Sequence, residues 1–279
     1  MTPLQAIILG IIEGVTEFLP ISSTGHMILA DHLMVVQDKE FVKTFEIAIQ
    51  LGAIAAVFML YIRRFLREMR LYFILGLAFL PTGIAGLLVY KHLKAYLFNP
   101  VSVSIALIVG GVLLLFFDRL AEKHEHQPEG QHKDALRGGA DSAPSMVHHH
   151  ATEIKPKTAF VIGLFQAISM IPGVSRAAAT IGGGLVMGLN RVRAVEFSFL
   201  LAVPTMVAAT GYDLYKQREA LNATHIDLLA IGAVVAFAFA LLAVRFFVGY
   251  ISKRGFFVFG VYRIIVGVIF LAVFWGKSF

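Results

Sequence analysis

The sequence predicts an all-α integral membrane protein, with six transmembrane helices and two re-entrant helical hairpins arranged as inverted repeats. Three observations predict it. Of 279 residues, 58% are hydrophobic and only 15% charged, and the mean hydropathy is +0.77, well beyond a soluble domain of this length. Six apolar runs approach the roughly 20 residues that a helix needs to cross a bilayer core. Two further pairs of apolar segments are too short to span, and each pair is broken by a proline and a polar loop.

In chain order, the first short pair is 4–19 with 27–36, a hairpin within 4–36, followed by spans at 45–62, 71–90 and 101–117. These form a first repeat, 1–118. Residues 119–157 are rich in His, Glu, Gly and Lys and have no apolar periodicity, so they read as a hydrophilic, solvated linker loop. The run His148–His150 lies in it and could bind a metal ion, but no carboxylate or further histidine stands at a ligand-like helical spacing beside it, so plain linker is the favoured reading. The second repeat, 158–279, opens with the pair 158–171 and 177–189 and continues with spans 195–214, 226–248 and 256–275. Irregular backbone at membrane depth is tolerated only where protein buries it or it lines a wet cavity, so both hairpin tips are expected to face a site.

The formal charge is +6 and cysteine is absent, which removes disulfides and thiol chemistry. The bases lie in short clusters between apolar runs. With Arg63–Arg70 inside, the segments on that side hold twelve Lys and Arg against five on the other. This is the bias of cytoplasmic loops, not of a nucleic-acid surface. It places the C-terminus outside, with the first hairpin entering from the outer side and the second from the inner side. The N-terminal apolar stretch lacks a basic n-region and carries Glu13 and Glu17, so no cleavable leader is expected.

Sliding the sequence against itself by 152 residues lays Pro20 on Pro172, Ser23 on Ser175 and Phe45 on Phe197. Three spans per half would give two such copies opposite orientations. Inverted repeats with broken helices meeting near the midplane are a transporter architecture, and their half-helix N-termini favour anions.

Ionisable residues inside spans are costly and mark function. Glu13, Glu17 and His26 surround the first hairpin and Arg176 lies on the second, while Glu46, Glu196, Asp213, Arg245 and Arg263 lie in spans. Glu13 and Glu17 are four apart, hence on one helix face. Two carboxylates there repel unless one holds a proton or a cation sits between them. A hard divalent cation suits the pair, Mg²⁺ first and Ca²⁺ as the alternative, since it completes its shell with water and phosphate oxygens. After Pro20, Ser22, Ser23 and Thr24 stand in a turn, and Gly25 gives room for close approach. Hydroxyls and free N–H groups at a helix N-terminus make an anion site, although Ser and Thr here would also serve as plain helix caps. His26 is near enough to act as a base for a serine nucleophile or as an acid for a leaving group. On the second hairpin, Gly173, Ser175, Arg176 and Thr180 follow a proline. The planar fork of Arg176 matches phosphate, though Glu196 would serve as a structural partner. Together these residues are equipped for phosphoryl transfer from a lipid.

At "EGVTEFLPISSTGHM" (13–27), "FEIAIQLG" (45–52), "PGVSRAAAT" (172–180) and "EFSFLLAVPTM" (196–206), the chain resembles the undecaprenyl pyrophosphate phosphatases, also called bacitracin-resistance proteins. The motifs fall in family order, and the resemblance covers nearly everything outside the linker. It implies six spans plus two hairpins, and removal of the terminal phosphate from a C55 isoprenoid pyrophosphate on the outer, periplasmic face of the bacterial cytoplasmic membrane. That reaction recycles the carrier for peptidoglycan synthesis. The implied roles are metal or acid–base chemistry for Glu13 and Glu17, nucleophilic attack by Ser23, proton transfer by His26, and phosphate binding by Arg176 with Ser175 and Thr180. One departure stands out: the family pattern after the arginine usually reads Ser-Gly, whereas this chain has Ala177 and Ala178. Losing a hydroxyl there removes a hydrogen bond of about 1.5–3 kcal/mol if it reached a charged phosphate.

The expected partners are a polyprenyl pyrophosphate lipid and the membrane, with no nucleic acid, and a homodimer is compatible with the sequence. The leading reading is a membrane phosphatase; the other is a transporter or flippase of a phosphorylated polyprenyl lipid, which inverted hairpins suit equally well.

Overall fold

The structure is a computed structural model that describes residues 1–34, 39–97, 99–125, 154–216 and 226–276. Among these are ten helices and no strand: α1 (Pro3–Thr16), α2 (Ser23–Leu33), α3 (Lys39–Arg67), α4 (Met69–Leu97), α5 (Pro100–Glu125), α6 (Pro156–Ile168), α7 (Arg176–Val186), α8 (Arg191–Lys216), α9 (Ile226–Arg254) and α10 (Phe257–Phe274). Six of them, α3, α4, α5, α8, α9 and α10, are long and apolar enough to cross a membrane. The protein is an all-α, multi-pass integral membrane protein.

Most spans run past the apolar segments that announce them. Helix α3 continues through Arg63, Arg64 and Arg67, and α9 through Lys253 and Arg254. Arg and Lys are good helix formers, and their positive charge suits a helix C-terminus. Polar side chains thus end the apolar stretch without ending the helix. For the same reason the linker is shorter than its composition suggests, since α5 runs on to Glu125 and α6 begins at Pro156, just past a buried Ile154. The rest of the linker, including His148–His150, lies outside the described residues.

The short helices come in two pairs, α1 with α2 and α6 with α7, joined by residues 17–22 and 169–175. Helix α1 opens with a capping box from Thr2 and Gln5 and has Pro3 in its first turn; α6 has Pro156 in the same place. Each pair leans on a long helix of the other half of the chain, α1 on α9 and α6 on α4. A bare backbone permits both contacts: a Cβ on Gly10 would come within 2.8 Å of the Gly232 carbonyl, and one on Gly163 would overlap the Ala78 carbonyl.

Helices α3 and α8 carry the middle of the core, where Ile54, Val57, Phe197, Phe199, Leu200 and Leu201 are buried together. Phe18, in the first hairpin tip, packs edge-on to Phe199 of α8 with ring centres 5.7 Å apart. Leu66, Leu87, Phe116 and Leu242 lie outward and exposed, as expected where lipid replaces water.

The two halves run through the same sequence of short, short, long, long, long helices, but the register differs from the one the sequence suggests. Pro3 and Pro156, Gly10 and Gly163, and the two helix-capping serines Ser22 and Ser175 all stand 153 residues apart. The offset of 152 applies to the first long helix of each half, with α3 starting at Lys39 and α8 at Arg191. Ser23 therefore corresponds to Arg176, the first residue of the matching half-helix, and not to Ser175.

Candidate functional site

Each hairpin tip turns on a serine in a conformation serines rarely adopt. Ser22 has φ 72° and Ser175 φ 73°, the left-handed region that costs a residue with a Cβ about 1–2 kcal/mol. The hydroxyl of Ser22 accepts from the Gly25 N–H at 3.4 Å, and that of Ser175 from the Ala178 N–H at 3.2 Å. Both are N-caps. Helix capping thus accounts for Ser22 and Ser175, whose hydroxyls were expected to bind phosphate. It does not account for Ser23.

The next residue in each tip is the one that projects. Ser23 donates its hydroxyl proton to Glu17 Oε2 in a short hydrogen bond. Arg176 donates from Nη2 to the other oxygen, Glu17 Oε1, at 3.3 Å. One carboxylate, its side chain 9% exposed, thus receives a hydroxyl from one hairpin and a guanidinium from the other. Arg176 is seated further by a donation from Nη1 to the Ser198 carbonyl at 3.1 Å and by the Phe18 ring 5.4 Å beneath its guanidinium carbon. Its Nε is buried with no hydrogen-bond partner.

Glu13 stands one turn before Glu17 and is 1% exposed, with Oε1 buried and unpartnered. It lies outside the six spans. Burial first, and then the carboxylates of Glu17 and Glu46, hold its carboxyl well above the usual range. The expected acid pair is therefore part of a larger group, because Glu46 on α3 faces Glu13 and also interacts with Asp31. Among the described residues, no three His, Asp or Glu side chains are arranged as a ready-made metal cage. The fit is to a cation that needs few protein ligands: an unpartnered Glu13 oxygen beside Glu17 offers two carboxylates, and phosphate and water would supply the rest.

Three expected roles change. His26 is turned away from Ser23: its Nδ1 lies 2.8 Å from the Ser22 carbonyl and its Nε2 2.7 Å from the Tyr262 hydroxyl, with the two rings parallel and 5.6 Å apart. A carbonyl only accepts, so Nδ1 carries the proton and, in the neutral ring, Nε2 accepts from the phenol. Both nitrogens are engaged, which leaves Glu17 as the carboxylate in contact with Ser23. Thr180 is 1% exposed and donates to the Arg176 carbonyl at 2.9 Å while sharing a 2.6 Å hydrogen bond with Ser198. It ties α7 to α8. Gly25 lies against Val103 and Leu107 of α5, where a Cβ would sit at ordinary contact distance, 3.4 Å from the nearest atom; Thr24 is exposed.

Of the ionisable residues in spans, Glu196 pairs with Arg64 at 3.6 Å, so it is not the partner of Arg176. Arg245 lies exposed on α9, and Arg263 is wholly buried. Ala177 is fully buried in the main core, where a serine hydroxyl would meet packed side chains. Tyr262 is the contact that sequence reasoning missed; an aromatic in an apolar span carries no signal of its own, and only its place beside Arg263 distinguished it.

The chain matches the family described as "Bacitracin resistance protein BacA" over residues 6–269. It is 48% identical over 267 residues to the undecaprenyl-diphosphatase of Wolinella succinogenes, covering 96% of each chain. It is 44% identical over 275 residues to that of Aquifex aeolicus, covering 98% of this chain and 99% of the other. The undecaprenyl-diphosphatase of Bdellovibrio bacteriovorus is 46% identical over 272 residues, 97% and 95% of the two chains.

Proposed function

The chain belongs to the BacA family of bacitracin resistance proteins, and we propose that it carries out its hydrolysis at the contact between its two hairpin tips. Its relatives are undecaprenyl-diphosphatases over nearly their whole length. The chain is accordingly a membrane phosphatase that converts undecaprenyl diphosphate to undecaprenyl phosphate and inorganic phosphate. The family and its relatives carry the name of a hydrolase, and nothing in them supports the transporter reading.

The observation that carries the mechanism is Glu17 receiving Ser23 on one oxygen and Arg176 on the other. Glu17 takes the Ser23 proton as Oγ bonds to the terminal phosphorus. The anhydride bond to the inner phosphate breaks, and undecaprenyl phosphate leaves. Water then cleaves the phosphoserine and releases inorganic phosphate. Arg176 moves from the carboxylate to the phosphoryl oxygens, where its fork matches the planar charge that develops, and its unpartnered Nε supplies a further donor. The N-terminus of α2 lends its partial positive charge from below. Glu13 and Glu17 would hold a divalent cation, which supplies charge neutralisation at the phosphate oxygens when bound. His26, fixed by Ser22 and Tyr262, orders the first turn of α2 behind the nucleophile.

We place the site at the outer face of the bacterial cytoplasmic membrane. The support is the excess of Lys and Arg in the loops that would lie inside.

The test is phosphate release from C55 diphosphate in detergent with Mg²⁺ by Ser23→Ala, Glu17→Gln, Arg176→Ala and the Glu17→Gln/Ser23→Ala pair. Each single change is expected to lower kcat at least 100-fold, and the pair no further than either alone, since the two residues act as a unit. Losses that multiply in the pair would separate Glu17 from Ser23 and overturn the assignment of the base.

A further inference from the structure

Arg263, on α10, is the largest wholly buried side chain in the described protein and belongs to none of its ion pairs. A buried guanidinium without a carboxylate is rare in a membrane, and here backbone carbonyls satisfy it. Nη1 donates to the Pro20 carbonyl at 2.9 Å. Nη2 donates to those of Gly173 at 2.9 Å, Val174 at 3.0 Å and Ala106 at 3.3 Å, and Nε reaches Leu107 at 3.4 Å. Pro20 lies between Glu17 and Ser23 in the first tip, and Gly173 and Val174 immediately precede Ser175 and Arg176 in the second. A single side chain therefore holds both tips, each within three residues of a group that meets at Glu17.

The surroundings are shaped to admit it. A Cβ on Gly110 of α5 would overlap Arg263 Nη2, so the guanidinium lies in a notch that only glycine leaves open. Lysine would place one compact charge where a fork of five N–H groups now reaches carbonyls on three segments. We propose that Arg263 is a positioning residue of the hydrolysis site: it sets the separation of the two tips and thereby brings Arg176 onto the carboxylate that holds Ser23. This rests on the reading of that contact as the reaction centre.

The chain has no cysteine, so a spin-label pair at Ile8→Cys on α1 and Ile168→Cys on α6, both exposed side chains, reports the separation of the hairpins without interference. In that background, Arg263→Lys and Gly110→Ala are compared with the unmodified pair in detergent for label distance, kcat and KM. The expected result is a distance distribution that broadens or shifts in both variants, with kcat down about 100-fold, the scale expected when reacting groups move by about 1 Å, and KM within threefold. Gly110→Ala leaves the charge in place and decides the matter if Arg263→Lys does not fold. An unchanged distribution in the folded variants, or a kcat that falls only in proportion to lost folded protein, overturns the proposal. If Ser23→Ala releases phosphate as fast as the unmodified chain, the reading of the reaction centre fails, while the label distances still decide whether Arg263 holds the tips.

Discussion

Ser22 and Ser175 share one backbone conformation, φ 72° and 73°, at positions 153 residues apart, and each caps the half-helix that follows it. What differs is the residue that comes next, a hydroxyl in the first half and a guanidinium in the second. The same turn thus delivers two chemically complementary groups to Glu17.

The capping geometry sets two opposed effects at Ser175. Alanine removes the hydroxyl that accepts from the Ala178 N–H and keeps the unfavourable φ, so Ser175→Ala is expected to cost about 1 kcal/mol. Glycine loses the cap but adopts a left-handed φ freely, so Ser175→Gly should be close to neutral. Thermal unfolding in detergent compares them; equal destabilisation by both would mean that backbone conformation contributes nothing at this tip.

Thr180 is expected to matter for stability and not for substrate. Thr180→Val removes its bonds to Ser198 and to the Arg176 carbonyl and should lower stability by about 1–3 kcal/mol, the cost of leaving a buried partner unsatisfied. KM for C55 diphosphate should stay within twofold. A KM raised tenfold in well-folded protein would restore the phosphate-binding role that the sequence pattern suggests.

His26 couples stability to pH. Burial holds it below its usual value of 6.5, with Arg263 pushing the same way and the Ser22 carbonyl opposing. The unfolded chain therefore binds this proton at a higher pH than the folded chain does. The stability it contributes is present above about pH 6.5 and is lost as pH falls toward the folded value, with a slope of at most about 1.4 kcal/mol per pH unit. Melting temperature followed from pH 8 to pH 5 should decline at the acid end, and His26→Gln should remove that part of the decline. A slope that persists unchanged in the variant would assign it to another group.

Removing the divalent cation with a chelator is expected to abolish phosphate release, and added Mg²⁺ to restore it. Glu13→Gln leaves the Glu17 contacts to Ser23 and Arg176 in place while weakening the remaining oxygen donor, so the Mg²⁺ concentration for half-maximal activity should rise at least tenfold. Full activity in chelator would remove the cation from the mechanism.

The architecture was legible because burial in lipid leaves coarse marks: long apolar runs for the spans, and short pairs broken by proline for the hairpins. The meeting of Glu17, Ser23 and Arg176 was also foreshadowed, since charges and hydroxyls on broken helices demand partners. Finer placement was not. His26 is three residues from Ser23, yet the turn set by Ser22 sends its ring to Tyr262, and no spacing rule contains that rotation. Ser175 and Thr180 satisfy a phosphate-site pattern and a structural pattern equally well; the cap on α7 engages the first and Ser198 of α8 the second. The register slipped by one residue because prolines aligned more readily than the capping serines that govern the turn.

Because Ser23 and Arg176 come from opposite halves of the chain, neither half carries a working centre by itself. A protein cut short after α5 would keep five whole helices, the proposed attacking hydroxyl and its carboxylate, and no guanidinium to receive the phosphate. The later half alone would keep the arginine and nothing to strike with. For this fold a premature stop codon anywhere before α7 is therefore expected to abolish activity, however much of the chain still inserts and packs.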